Sequence, residues 1–163
     1  MQEKSKTNLR VLKRTRKKPQ IGDIFALQLE PLPDRYFFGR VVKTDTKIGN
    51  IDNVVLIYLY KTTSSDKSKI PELKLSDLMA APLGISIRVW LDGYLETVSS
   101  IPIESGQIFE KYCFKSLSRA GVFYDEYGNR LTESFEPCGE WAMGWHLAID
   151  RAVSKFMGIP LLS

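Results

Sequence analysis

The feature that most constrains the fold is an unbroken apolar run at residues 54–60, with the sequence VVLIYLY. A half-buried strand alternates apolar and polar residues, whereas a run that is apolar on both faces indicates a strand covered on both sides. We therefore predict a sheet that has this strand at its centre and further elements packed on both of its faces.

A second signal predicts a β-hairpin at residues 21–42. Residues 24–29 are a short apolar run of strand length, and residues 36–42 are rich in aromatic and β-branched residues. The sequence EPLPD at residues 30–34 separates them, and its prolines and aspartate are typical of a turn. Gly39 lies inside the second strand, where a glycine usually marks a bulge or a close backbone approach.

The same stretch resembles the opening hairpin of the immunity protein 26 family. The resemblance rests on three short matches, which are Gly22-Asp23-Ile24-Phe25, Arg35-Tyr36 and Phe38-Gly39-Arg40-Val41-Val42. It is looser over residues 124–129 and the C-terminal helix, and the turn at residues 30–34 is longer and richer in proline than the family's. Proteins of this family belong to bacterial polymorphic toxin systems, in which each is encoded beside a toxin and protects the producing cell from it.

The resemblance implies a protein that binds a cognate toxin and neutralises it by stoichiometric occlusion of its active surface, with no turnover and no cofactor. It carries over five motif residues, and we expect most of them to be structural: Gly22, Asp23, Phe25, Gly39 and Arg40. Asp23 would cap a turn and Phe25 would anchor the core. The family pattern does not indicate where the toxin binds.

Later segments predict further strands. Residues 85–91 alternate apolar and polar side chains, which predicts a strand with one apolar face and turns Trp90 outward. The Asp-Gly pair that follows is a two-residue hairpin signal into residues 94–98. Residues 107–117 fit a short helix about as well as a strand, and the resemblance favours a strand. Residues 122–131 predict one more hairpin, with Tyr-Gly-Asn as its turn.

A helix is predicted at the C-terminus, from Pro137 to a stop at Gly158 and Pro160. Gly139 and Gly144 weaken its first half by roughly 1 kcal/mol each relative to alanine. One amphipathic stripe recurs at three- and four-residue intervals: Trp141, Trp145, Ala148, Ile149, Ala152, Val153 and Phe156. The predicted fold class is therefore α+β, a curved, mostly antiparallel sheet (SH3-like or a partly open barrel) with a long C-terminal helix packed on it.

Charge divides the chain unevenly. Residues 1–20 carry eight lysines and arginines and one glutamate, a net charge of +7, which leaves 15 basic and 18 acidic residues, a net charge of −3, in the remainder. We therefore predict a flexible basic arm at residues 1–18 and a single domain at residues 19–163. The arm is either a solvated leader or the electrostatic arm of a nucleic-acid-binding β-barrel module, which is the alternative function. A mildly acidic body suits an inhibitor of a basic nuclease.

Few residues in the sequence can carry catalysis. The single histidine, His146, and the two cysteines, Cys113 and Cys138, are the candidate nucleophile–base set. Cys138 and His146 would lie roughly 12 Å apart along the predicted helix, too far to hydrogen-bond. The sequence has no phosphate-binding glycine loop and no Cys or His spacing typical of a metal site. We therefore predict no enzyme, no cofactor and no metal, and a metal-dependent enzyme using the carboxylates at residues 133–140 is the weakest hypothesis.

Acidic and aromatic residues are the candidate toxin contacts. Interfaces favour tryptophan and tyrosine, and carboxylates on a common surface suit a cationic partner. Glu136 and Glu140 would repel each other at four-residue spacing on a helix, an arrangement that persists more readily where a cation is expected. The candidates are Trp90, Asp92, Asp125, Glu126, Glu136, Glu140 and Trp141.

The expected compartment is the cytoplasm. No apolar run approaches the roughly 20 residues that a membrane-spanning helix needs. The basic N-terminus has no apolar stretch after it, unlike a secretory signal. We therefore predict no membrane partner and two reduced cysteines.

Overall fold

Nine strands in two sheets and two α-helices form the framework of residues 6–163, the part of the chain that the computed structural model describes. The strands are β1 (Asp23–Leu27), β2 (Tyr36–Ile48), β3 (Ile51–Ser64), β4 (Leu83–Ile85), β5 (Glu96–Ser100), β6 (Cys113–Lys115), β7 (Phe123–Tyr124), β8 (Cys138–Glu140) and β9 (Met143–Gly144), and the α-helices are α1 (Arg88–Leu91) and α2 (His146–Met157). The larger sheet has the strand order β5-β1-β2-β3-β4-β9, and the smaller has the order β7-β6-β8. Only the β4–β9 and β6–β8 pairs are parallel. The predicted α+β class, a mostly antiparallel sheet with a C-terminal helix, is confirmed, and neither sheet closes into a barrel within the described residues.

Strand β3 lies at the centre of the larger sheet, between β2 and β4, as the apolar run at residues 54–60 predicts. Every residue of that run is buried. Because successive side chains of a strand point to opposite faces, the run contributes to two separate cores. Val55, Ile57 and Leu59 lie in the first core, and Val54, Leu56, Tyr58 and Tyr60 lie in the second.

Different elements cover the two faces of the larger sheet. Ile149 and Val153, one turn apart on α2, are fully buried in the first core. Tyr112 and Phe114, at the start of the smaller sheet, are buried in the second core. Burial stabilises a large apolar side chain by roughly 1.5–3 kcal/mol relative to exposure. Apolar packing therefore holds the central strand from both sides.

The segment at residues 85–91 is not a strand, and Trp90 does not point outward. β4 ends at Ile85 and α1 follows. The outward direction of Trp90 was predicted from the alternation of side chains along a strand, which does not apply to a helix. Val89 and Trp90 are both buried, and only 1% of the Trp90 surface is exposed. The Trp90 ring packs edge-on against Phe25, with 5.7 Å between centroids. The predicted hairpin is also wrong, because β5 pairs with β1.

Helix α2 begins at His146 and not at Pro137, so the predicted helix was too long at its start. The preceding residues form β8 and β9, and the two glycines that weaken the predicted helix, Gly139 and Gly144, both lie in these strands. A Cβ at Gly139 would lie 2.5 Å from the carbonyl oxygen of Pro82, so glycine lets β8 approach that backbone closely. The predicted glycine stop is confirmed. No helix within residues 6–163 is long and apolar enough to cross a membrane.

Contacts with the rest of the domain begin at Thr7, within the stretch predicted as a flexible arm at residues 1–18. Residues 1–5 of that arm lie outside the described residues. Leu9 is buried in the first core and forms a bridge with Leu29. Asn8, only 2% exposed, donates its backbone N–H to the buried Asp150 carboxylate on α2 at 2.8 Å. The first described residues and the last helix are therefore joined directly.

Two shorter predictions have different outcomes. Of residues 107–117, only the three residues of β6 are a strand. The hairpin at residues 122–131 is confirmed, since Asp125 N donates to the carbonyl oxygen of Asn129 at 2.9 Å and Leu131 N to that of Phe123 at 2.8 Å.

Candidate functional site

Three of the five motif residues shape the backbone contacts of the first hairpin. Phe25 on β1 lies directly opposite Gly39 on β2. A Cβ at Gly39 would overlap the Phe25 ring and lie 2.6 Å from the backbone oxygen of Tyr58. Gly22 has a φ of 94°, and a Cβ there would lie 2.7 Å from the backbone oxygen of Ile101. Glycine at position 39 leaves room for the Phe25 ring, and glycine at position 22 lets the backbone at Ile101 approach the hairpin closely.

Replacing Gly39 by alanine should lower the free energy of unfolding by about 2–3 kcal/mol. Neither neighbour can move freely, because the Phe25 ring is packed against Trp90 and the Tyr58 oxygen belongs to the central strand. Denaturant unfolding measures the loss. The loss should be smaller in a Phe25→Leu background, where the ring is gone. A loss below about 0.5 kcal/mol in the otherwise unchanged protein would contradict the overlap.

The other two motif residues, Asp23 and Arg40, are buried and hydrogen-bonded to neutral groups. The Asp23 carboxylate accepts a hydrogen bond from the backbone N–H of Gln20 at 2.8 Å, which closes the turn before β1. Arg40 is 4% exposed and donates to the Tyr60 hydroxyl and to the side-chain oxygen of Gln107, both at 3.2 Å. No carboxylate forms an ion pair with Arg40 in the described part of the chain. These contacts fix the sheet to the loop after β5.

A pair of buried tyrosines lies in the second core. The hydroxyl oxygens of Tyr58 and Tyr112 are 2.6 Å apart, and the backbone N–H of Phe109 donates to the Tyr58 oxygen at 3.0 Å. Burial raises the pKa of Tyr58 and of Tyr60 above the usual tyrosine value. Burial also raises the pKa of Tyr112, and its hydrogen bond to Tyr58 raises it further. The folded protein therefore keeps these hydroxyls protonated.

The free energy of unfolding should fall as the pH rises above about 10, the ordinary pKa of tyrosine. Below that pH both states are protonated, whereas above it only the unfolded state releases protons from these tyrosines, so unfolding becomes more favourable. Tyr112→Phe should reduce the dependence, measured by denaturant unfolding between pH about 8 and about 11. Tyr36→Phe, which removes a hydroxyl from a tyrosine outside this group, is the control and should keep the original slope. An unchanged slope in Tyr112→Phe would contradict the assignment.

Three of the candidate contact residues meet around the hairpin after β7. The Trp141 ring stacks on Tyr124, with 3.8 Å between centroids and 19° between planes. The Asp125 carboxylate accepts hydrogen bonds from two backbone N–H groups of its own turn, both at 2.9 Å. Glu126 is buried, with its carboxylate 3.5 Å from Lys43 Nζ. Asp125 and Glu126 thus stabilise the hairpin, and the stack fixes Trp141 against it.

The remaining acidic candidates flank β8, at the edge of the smaller sheet. Glu136 precedes the strand and Glu140 ends it, and both are exposed. A hollow of about 320 Å³ lies beside the Trp141 stack. Its lining is Asn50, Ser116, Ser118, Arg119, Tyr124, Gly128 and Trp141. We call the region formed by Tyr124, Asp125, Glu136, Glu140 and Trp141 the small-sheet surface.

The last two candidates do not join this surface. Trp90 is buried in the first core, whereas Trp141 packs against the second core, on the other face of the larger sheet. Asp92 follows α1 and forms an ion pair with Arg88 at 3.3 Å. Trp90 therefore offers no surface for contact, and Asp92 lies with α1.

Sequence reasoning missed one exposed aromatic residue. Trp145 was assigned to the packed helical stripe, but it precedes α2 and 49% of its surface is exposed. Leu147, in the first turn of α2, is 42% exposed. Gly144, immediately before Trp145, was the sequence signal that the helix starts later, because glycine disfavours a helix at that point.

The reactive side chains are arranged for packing. His146 stacks on Tyr94 with 4.8 Å between ring centroids. Cys138 lies on β8 and His146 begins α2, so the prediction that both lie on one helix was wrong. The Cys113 and Cys138 sulfur atoms are 2.8 Å apart. Burial and the adjacent Cys113 thiol raise the pKa of Cys138 to about 12, which makes it a weak nucleophile at neutral pH. Among residues 6–163, no group of three or more His, Cys, Asp or Glu residues could hold a metal ion.

Comparison with known families identifies the core of the fold. The sequence model of the family described as immunity protein 26 matches residues 20–118, more than half of the chain. The chain belongs to the immunity protein 26 family. The match includes β1 to β6 and the whole opening hairpin. No curated protein and no solved structure matches the chain.

The immunity protein 26 match leaves two flanking regions outside it. These are the basic N-terminal segment and the region from residue 119 onward, which contains β7, β8, β9 and α2. The two regions are in contact through Asn8 and Asp150. The family portion thus supplies most of the larger sheet, and the flanking regions cover the first core and complete the smaller sheet.

Proposed function

We propose that this protein binds a cognate toxin in the cytoplasm of the producing cell and neutralises it by stoichiometric occlusion. The observation that carries the proposal is the match of residues 20–118 to the immunity protein 26 family. The raised pKa of Cys138 and the stacked ring of His146 favour a binding role over nucleophilic catalysis. The protein would act without turnover, as one copy per toxin.

The proposed toxin contact is the small-sheet surface. Glu136 and Glu140 are exposed, and Trp141, which follows Glu140 in the chain, is fixed in orientation by its stack on Tyr124. A rigid aromatic group loses little conformational entropy on binding, and exposed carboxylates attract a cationic partner and speed its association. This combination suits a toxin whose active surface is basic.

Titration of the purified toxin with this protein tests the proposal. We expect a complex with one copy of each chain and a complete loss of toxin activity at that ratio. Glu136→Lys with Glu140→Lys should weaken the complex at least about tenfold, a change of about 1.4 kcal/mol in binding free energy. Glu104→Lys with Glu110→Lys makes the same charge change at exposed positions in the loop after β5 and should weaken it much less.

The possible outcomes test the immunity function and the proposed contact surface separately. No complex with the cognate toxin would contradict the function. An intact complex with the Glu136 and Glu140 variant, or an equal loss in both variants, would leave the function standing and contradict the small-sheet surface as the contact.

A further inference from the structure

A dense group of cations lies at residues 13–18, with the sequence KRTRKK. Five of the six residues are exposed lysines or arginines: Lys13, Arg14, Arg16, Lys17 and Lys18. None of the five forms an ion pair within residues 6–163. We call these five residues the basic strip.

The backbone of the basic strip is attached to the domain. The N–H groups of Leu12 and Lys13 donate to the carbonyl oxygen of Gly93 at 2.8 and 3.2 Å, and that of Thr15 donates to the carbonyl oxygen of Trp90 at 3.4 Å. The Thr15 hydroxyl then accepts a hydrogen bond from the Lys17 N–H at 3.1 Å. These bonds use the backbone and one hydroxyl, so the cationic side chains remain available for a ligand.

Two of the carboxylates beside the strip have partners elsewhere in the domain, whereas Asp52 lines a second hollow with Lys18. Asp23 and Glu96 line the same hollow of about 180 Å³ as Lys13, Lys17 and Lys18. The Asp23 carboxylate accepts a backbone hydrogen bond at 2.8 Å, and Glu96 is paired with Lys67 at 2.9 Å. No strip side chain is paired with these carboxylates within the described residues, so the strip keeps an excess of positive charge on a domain whose remaining residues are mildly acidic.

We propose that the basic strip binds the phosphate backbone of nucleic acid, a function separate from toxin neutralisation. Six residues span at most about 20 Å, so the five cations lie within that length. The phosphates of one DNA strand follow one another at about 3.4 Å along the helix axis. Matching linear charge densities allow the strip to displace condensed counterions, which is the main source of non-specific affinity for nucleic acid. Contacts to phosphate groups carry no sequence information, so binding through the strip should not depend on base sequence.

A salt titration with a fluorescent DNA duplex of arbitrary sequence tests the proposal. Neutralisation of five phosphates predicts a slope of about −4.5 for the logarithm of the association constant against the logarithm of the salt concentration. Affinity should then fall about 500-fold between about 50 and 200 mM salt. Changing all five strip residues to glutamine should abolish measurable binding at the lower salt concentration.

A matched variant controls for net charge. It changes three lysines and two arginines to glutamine at exposed positions outside the strip, which are Lys111, Lys115, Arg119, Arg151 and Lys155. It should keep the original salt slope, and both variants should keep the original thermal unfolding temperature, because the strip is held by its backbone.

Three results would overturn the proposal. These are no binding by the unchanged protein at about 50 mM salt, an equal loss in the two variants, and a strip that binds polyglutamate more tightly than the duplex. The last result would assign the strip to an acidic protein. Toxin neutralisation by the strip variant should be unchanged, so failure of this proposal and failure of the immunity function are distinguishable.

Discussion

Replacing Asp150 by alanine should lower the free energy of unfolding by about 3–5 kcal/mol, because several buried donors lose their acceptor at once. The Asp150 carboxylate is 1% exposed. It accepts hydrogen bonds from the Thr7 hydroxyl at 2.8 Å, the Asn8 backbone N–H at 2.8 Å and the Ser154 hydroxyl at 2.6 Å. Hydrogen bonds to a charged group contribute about 1.5–3 kcal/mol each, and an unsatisfied buried donor costs a similar amount.

The effect should extend beyond α2, because this network joins the two regions outside the family match. The Asn8 side chain also donates to the Ser154 hydroxyl at 3.2 Å and to the carbonyl oxygen of Pro160 at 3.1 Å. Amide hydrogen exchange in Asp150→Ala should therefore rise in the N-terminal segment as well as in α2. Asp92→Ala, which removes a partly exposed carboxylate from an ion pair with Arg88, is the control and should cost less than about 1 kcal/mol. A cost of Asp150→Ala as small as that of the control would contradict the network.

Replacing Trp90 by alanine should cost about 3–5 kcal/mol, the usual range for removing a buried aromatic side chain. Trp90 is among the largest fully buried side chains, and it contacts Phe25 of the opening hairpin. Its removal would leave a cavity between α1 and the larger sheet. Denaturant unfolding measures the loss.

Trp145→Ala is the matched control, since it makes the same chemical change at a residue that is 49% exposed. We expect it to cost less than about 1 kcal/mol, as most substitutions at the surface do. Tryptophan fluorescence gives an independent check, in which a soluble quencher is added to the unchanged protein and to each variant. The fluorescence lost in Trp145→Ala should be the part that the quencher reduces, and the fluorescence lost in Trp90→Ala should be the part that it does not reduce. Equal costs, or equal quenching, would contradict the inward orientation of Trp90.

The parts of the fold that sequence predicts well are those set by local patterns. The apolar run at residues 54–60 identifies the central strand because no other common element is apolar on both faces over so short a length. The opening hairpin is predicted by its turn and by Gly39, which lies opposite Phe25. The family resemblance rests on the same local residues, and the family match includes them.

The errors occur where distant contacts decide the local structure. Over residues 85–91, one helical turn and a short strand give similar patterns, so the packing of Trp90 on Phe25 determines the outcome. The first half of the predicted helix forms β8 because it pairs with β6. The bond between Asn8 and Asp150 joins residues 142 positions apart, and no local pattern indicates it. Trp90 likewise lies in the first core, whereas Trp141 packs against the second core on the other face of the larger sheet, and no local pattern indicates this difference.

Growth during co-expression with the cognate toxin tests the central claim most directly. The test uses the product of an adjacent toxin-like gene, which is the partner that the proposed immunity function requires. The proposed immunity function predicts that toxin alone stops growth, that this protein restores it, and that the two chains copurify as a one-to-one complex. Continued growth arrest while both folded proteins are present, with no complex between them, would contradict it.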